Sequence, residues 1–167
     1  MNNLPEVWLR GETTPGLAPQ LQPAVHTLLQ VREEIEKMLT GFPQDLLWEK
    51  PSGVAAVGFH LKHIPGVLDR LLTYAEGGQL SELQLQYLKN ETIDTGEQPG
   101  ELLNRLKKAI VNAIERYKNF SPESIIEFRG VGRKKLPSTV IGLCFHAAEH
   151  SMRHTGQLLV TVKMQVK

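Results

Sequence analysis

Between Leu21 and Phe42 the apolar residues Val25, Leu28, Leu29, Ile35, Met38 and Leu39 recur at helical spacing, with acidic and basic residues between them. Such spacing lays one apolar stripe along a helix, and Gly41 supplies a stop, so a first helix is predicted within residues 21–42. A second pattern fills residues 51–78, where Val57, Leu61, Ile64, Val67, Leu68, Leu71 and Leu72 line a broad face and Gly77-Gly78 ends it. Pro65 lies inside that pattern; it lacks an N–H and crowds the carbonyl four residues earlier, so a kink is expected between Leu61 and Pro65. The third pattern opens at Pro99, a residue suited to the first helical position. It places Leu102, Leu103, Leu106, Ile110, Ile114 and Tyr117 on one stripe. The fourth occupies residues 138–166, with Ser138 or Thr139 as its cap.

The connections are less regular. Residues 80–91 read as a short helix or helical turn, residues 121–128 as one turn opened by Ser121-Pro122, and residues 129–137 as a basic, glycine-containing loop. Residues 6–11 read as extended chain. No segment alternates strongly enough to predict a strand. Four amphipathic helices therefore predict an all-α fold, a four-helix bundle with a short extra helical connector. Residues 21–167 are expected to form it as a single domain, behind an extended N-terminal segment, residues 1–20.

Composition supports a folded domain: 41% of the 167 residues are hydrophobic and 22% charged, too apolar for a disordered chain. Nineteen Lys and Arg face eighteen Asp and Glu, leaving no field that would draw the chain to nucleic acid or an anionic membrane. The first residues lack the basic start and apolar run of a signal peptide, and no run reaches membrane-spanning length, so a cytoplasmic protein is expected. Cys144 is the one cysteine; it excludes an internal disulfide and is expected to act as a small buried side chain.

Chemistry concentrates in the histidines. In HAAEHSMRH, residues 146–154, three of the six histidines stand four residues apart. On a helix such residues are rotated by about 40° and separated by about 6 Å along the axis, so His146, His150 and His154 project from one side. Their apolar neighbours Val140, Ile141, Leu143, Ala147, Leu158 and Leu159 suggest that this side faces the bundle. Several buried imidazoles would each need a hydrogen-bond partner; a divalent metal removes that need, because neutral imidazole is a good ligand. His60 and His63, in the second pattern, offer the same chemistry from another helix. His26 is expected to be structural or exposed.

Two segments, FHLKHIPGVLDRLLTYA and the later LPSTVIGLCFHAAEHSMRHTGQLL, resemble the DinB-like (DinB/YfiT) superfamily of metalloenzymes. The resemblance covers most of the chain. It implies that one second-helix histidine joins a His-x-x-x-His pair followed by x-Gly-Gln on the last helix. Here the pair is His150 and His154, before Thr155-Gly156-Gln157, and the matching position on the second helix is His63 rather than His60. What the resemblance further implies is a divalent metal, zinc or nickel, held by three histidines with water completing its shell. Activities among such proteins include thiol-dependent transfer and isomerisation with a low-molecular-weight thiol such as mycothiol or bacillithiol, and hydrolase-like roles. A small-molecule substrate is implied, and a homodimer, because such proteins often pair through bundle faces.

His60 and His146 depart from the pattern as extra histidines, available to support the ligands, to shuttle protons or to serve as alternative ligands. HAAEH also spells His-x-x-Glu-His, in which Glu149 would activate a zinc-bound water between His146 and His150. That peptidase arrangement needs an acidic ligand downstream, and no Asp or Glu follows His150. His146 and Glu149 are kept as candidate catalytic groups within the bundle site. Cys144 stands two residues from His146, roughly across the helix, which disfavours a cysteine nucleophile paired with it. Arg70 and the run Arg129, Arg133, Lys134 and Lys135 are candidates to hold an anionic or thiol cosubstrate. The competing reading is a non-catalytic bundle whose metal is structural or whose pocket only binds a small molecule; a fourth protein ligand closing the shell would mark it.

Overall fold

A computed structural model describes residues 4–166. Five helices follow one another: α1 Gln22–Met38, α2 Val57–Ala75, α3 Glu82–Asn90, α4 Pro99–Tyr117 and α5 Val140–Gln165. Two short strands, β1 Phe128–Val131 and β2 Leu136–Thr139, pair antiparallel before α5. α2 lies against both α4 and α5, and α1 lies against both from the other side, giving the four-helix bundle, with α3 packed mainly on α2.

The helix starts follow local chemistry. Thr139 Oγ1 accepts from Gly142 N at 3.1 Å and caps α5, which satisfies a backbone donor that has no partner inside the helix. Ser81 and Gln84 exchange hydrogen bonds at the start of α3, and Gln98 and Glu101 do so at the start of α4, where Pro99 sits in the first turn. Leu28, Val31 and Ile35 of α1 meet Leu61, Ile64, Leu68 and Leu72 of α2, Leu106 and Ile110 of α4, and Leu143, Ala147 and Leu158 of α5 in one core. Each large side chain contributes about 1.5–3 kcal/mol by leaving water. Tyr117 satisfies its buried hydroxyl by donating to Cys144 O at 2.7 Å. Cys144 is itself buried, as expected.

α3 has no buried residue of its own. It is fastened to α2 by polar contacts, Gln84 Nε2 donating to Asp69 Oδ2 at 2.7 Å and Tyr87 Oη to Lys62 O at 3.0 Å. The segment after it is held by the buried Lys62, whose Nζ donates to Ile93 O and Thr95 Oγ1 at 2.8 and 2.7 Å. The connector thus sets its final residue, Glu91, against the middle of α2.

Two local expectations are corrected. Residues 129–137, read as a loop, form most of a hairpin, with Phe128 opposite Thr139 and Val131 opposite Leu136. Its strands have only four residues and are mostly exposed or half-buried, too short and too wet to leave an alternating signature. Gly132 and Lys135 turn the chain with positive φ, 67° and 46°. Residues 6–11, read as extended, contain a 3-10 turn at Val7–Leu9. It is docked on α1 by Val7 N donating to Gln30 Oε1 at 3.0 Å and by Arg10 pairing with Glu33 at 2.7 Å. α2 continues as a helix on both sides of the buried Pro65. The outermost parts of the expected terminal segments, residues 1–3 and 167, lie outside the described residues. Among the described residues no helix is long and apolar enough to cross a membrane.

Candidate metal centre

The packing of α2 on α5 brings the two groups of histidines together. His63, His150 and His154 each offer a ring nitrogen, and these atoms lie within 4.8 Å of one another. His63 Nε2 is 3.0 Å from His150 Nε2. The His154 ring centroid lies 4.4 Å from that of His63 and 4.7 Å from that of His150, and Phe59 stacks on His63 at 4.9 Å.

The outer nitrogens show how two of these rings are held. His63 Nδ1 is 2.7 Å from Glu91 Oε2, while Arg70 Nη1 donates to Glu91 Oε1 at 2.6 Å. A carboxylate only accepts, so His63 donates from Nδ1 and turns Nε2 inward. His154 Nδ1 meets His60 Nδ1 at 3.0 Å, which leaves its Nε2 for another partner. His150 Nδ1 is buried with no protein partner. Gly66 makes room for this support: a Cβ there would overlap Glu91 Oε1 and stand 2.6 Å from Arg70 Nη1.

Burial, followed by the nearby His63, pushes the pKa of His150 down to about 4 and that of His154 down to about 3, where His150 adds to the effect. Near pH 7 both are neutral and available as donors. Two nitrogens bound to one tetrahedral zinc at about 2.0–2.1 Å would lie about 3.3–3.4 Å apart, close to the His63–His150 separation. An all-nitrogen set whose outer atoms are partly braced therefore fits a borderline divalent cation.

Residues 27–158 match the sequence profile of the DinB superfamily. The chain belongs to the DinB superfamily. A crystal structure of a protein from Streptococcus pneumoniae shares the fold, with a TM-score of 0.64 and 14% identity over 86% of this chain and 88% of that one. No curated protein matches the sequence.

Within this DinB-superfamily bundle, His63 is the second-helix residue that meets both His150 and His154, and His60 stands behind His154. His146 does not turn inward with the other two. It is exposed, with Nδ1 2.8 Å from Glu149 Oε1, because the apolar face of α5 is narrower than its sequence suggested; Leu159 is exposed as well. His146, Glu149 and His150 still form a second close group. Burial raises the Glu149 pKa, but hydrogen bonds from Arg153 and His146 outweigh it and hold the carboxyl below its ordinary value.

Arg70 does not stand ready for an anionic cosubstrate: it is buried and paired with Glu91. The basic run sits on the hairpin, where Arg129 donates to Ala75 O at 2.7 Å. Ala75 ends α2, about 18 Å from His63 at 1.5 Å per residue, so these cations lie at the other end of the bundle. Burial pushes the Cys144 thiol up to about 12, which removes it as a nucleophile. His26 bonds Glu12 O at 3.0 Å and has the expected structural role. Sequence reasoning missed Glu91. Its one local sign was an acidic residue at the end of a predicted connector, and nothing in the chain said which helix the connector would touch.

Proposed function

We propose that His63, His150 and His154 hold a divalent metal, zinc or nickel, and that the protein is a small-molecule enzyme activating water or a low-molecular-weight thiol. The observation that carries this reading is the convergence of three imidazoles from two helices, with carboxylate support behind one ring and imidazole support behind another. Bound there, such a cation supplies Lewis acidity and lowers the pKa of a water or thiol toward neutrality.

The protein's own groups supply the rest. Glu91 accepts from His63 Nδ1 and orients the ring, with Arg70 fixing the carboxylate. Phe59 covers one face of His63. His146 and Glu149, a hydrogen-bonded pair beside His150, are the nearest groups able to pass a proton to solvent. Arg153 binds both Glu149 oxygens at 2.6 Å, making this carboxylate a weak base.

A structural metal would be closed by a fourth protein ligand. Among the described residues no fourth donor joins the group, and the Nδ1 atoms of His60 and His146 face His154 and Glu149 instead. This supports an open coordination position. The test is elemental analysis of untagged protein and of His150→Ala, followed by assays with electrophilic esters and epoxides in the presence and absence of thiols. Stoichiometric metal in the parent, its loss in the variant and metal-dependent turnover are expected. Equal metal in both proteins would overturn the ligand assignment, and a loaded protein inert in all assays would overturn catalysis.

A further inference from the structure

His60 is 1% exposed. Its Nδ1 faces His154, and its Nε2 is buried without a hydrogen-bond partner. A native fold rarely buries a polar atom in this way unless water or a ligand satisfies it. If His154 gives Nε2 to a metal, its proton resides on Nδ1 and is donated to His60 Nδ1. His60 must then carry its own proton on Nε2. The unpartnered atom is therefore a donor awaiting an acceptor.

The same ring lines a cleft of about 340 Å³ with Val54, Ala55, Gln157, Val160 and Thr161. No Asp, Glu, Lys or Arg lines this cleft. Thr161 directs its hydroxyl to Ala55 O and Gln157 O at 3.2 and 3.3 Å. That leaves His60 and the exposed amide of Gln157 as the polar groups available to an occupant, beside the apolar Val54, Ala55 and Val160. His60 links the cleft to the three-histidine group through its contact with His154.

We propose that this cleft is the substrate pocket of the centre and that it takes an uncharged molecule with a compact apolar body. A carbonyl-type oxygen of that molecule accepts from His60 Nε2, while Gln157 contributes an amide hydrogen bond. An anion is selected against because its desolvation would meet no compensating cation in the lining. The inference rests on the metal-centre reading, since zinc fixes the proton on His60.

The test uses the full chain, uniformly labelled with nitrogen-15 and loaded with zinc, with isobutyramide as the probe and isobutyrate as a charged probe of similar shape. Zinc stoichiometry is measured first; its failure refutes the metal centre and removes the basis for the fixed proton. Given stoichiometric zinc, long-range proton–nitrogen correlation is expected to find His60 protonated at Nε2. Isobutyramide should shift that nitrogen and the Gln157 side-chain amide saturably. Its Kd should weaken about tenfold in His60→Phe, the scale of one buried hydrogen bond, and several-fold in Gln157→Ala, a change at an exposed position that leaves the core intact. Isobutyrate should leave both resonances unmoved. With zinc bound, protonation of His60 at Nδ1, no saturable shift with isobutyramide, unchanged affinity in Gln157→Ala or equal responses to the two probes would overturn the pocket assignment while leaving the metal centre standing.

Discussion

Glu91→Gln isolates the support behind the proposed metal centre, because it keeps the shape of the side chain and removes one acceptor. In the parent, Glu91 accepts from Arg70 at 2.6 Å and from His63 at 2.7 Å, with the Arg70 and Glu91 side chains 10% and 2% exposed. A glutamine has one oxygen and one NH2, so it satisfies only one of these donors. The guanidinium, always charged, takes the oxygen, and the NH2 then faces His63 Nδ1. His63 answers by moving its proton to Nε2, the atom assigned to the metal. Loss of such support typically weakens metal affinity 10- to 100-fold. Replacing a buried charge-assisted hydrogen bond costs the fold about 1.5–3 kcal/mol. Zinc affinity is read by competition with a chromogenic chelator, and the stability of metal-free protein by urea unfolding, so the two effects separate. Wild-type zinc affinity in a variant of reduced stability would refute the reasoning, since Glu91 would then brace only the fold.

Gly66→Ala should weaken zinc binding in the same competition assay by displacing Glu91 from His63, because its Cβ occupies the space of Glu91 Oε1; wild-type affinity would count against that route. His146→Ala should retain stoichiometric zinc by elemental analysis, since this exposed side chain bonds Glu149 rather than joining the three-histidine group. The metal-free protein should lose stability as pH falls from about 6.5 toward 4. His60, His150 and His154 have folded pKa values of about 4, 4 and 3 against an ordinary 6.5, so the unfolded chain binds protons that the folded chain refuses. A lower urea midpoint at pH 5 than at pH 7.5 is expected, and an equal or higher one would contradict the burial of these rings. Cys144, buried and with its pKa pushed up to about 12, should react with a thiol reagent only after urea unfolding; fast labelling of native protein would refute this.

The parts of the fold that were legible in the sequence are those fixed by local periodicity. Helical spacing located α1, α2, α4 and α5 because each presents an apolar face to one shared core, and the cap at Thr139 was visible as residue chemistry one position before an apolar run. The hairpin left no such trace because its four-residue strands bury little. The candidate site divides the same way. His150 and His154 could be paired from their four-residue spacing, and the resemblance placed His63 beside them, because those relations run along a helix or within a repeated motif. Periodicity overextended at His146: a four-residue step also rotates by about 40°, and across two steps that drift carries one end of the row out of the interface, where His146 is exposed and His154 is half-buried.

Glu91 belongs to another kind of information. Its role depends on a buried contact across 28 positions with His63 and across 21 with Arg70, and on the missing side chain at Gly66. α3 offers no buried residue to announce where it docks, so the polar fastenings through Gln84, Tyr87 and Lys62 decide the position of its last turn. Those fastenings lie on faces of α2 outside the apolar stripe. One helix thus serves three ends: its apolar residues build the core, His60 and His63 face α5, and Lys62, Gly66 and Arg70 receive the connector. The connector carries none of the three histidines, yet the orientation of His63 on α2 depends on it, so changes in α3 that preserve the bundle should still alter metal affinity through Glu91.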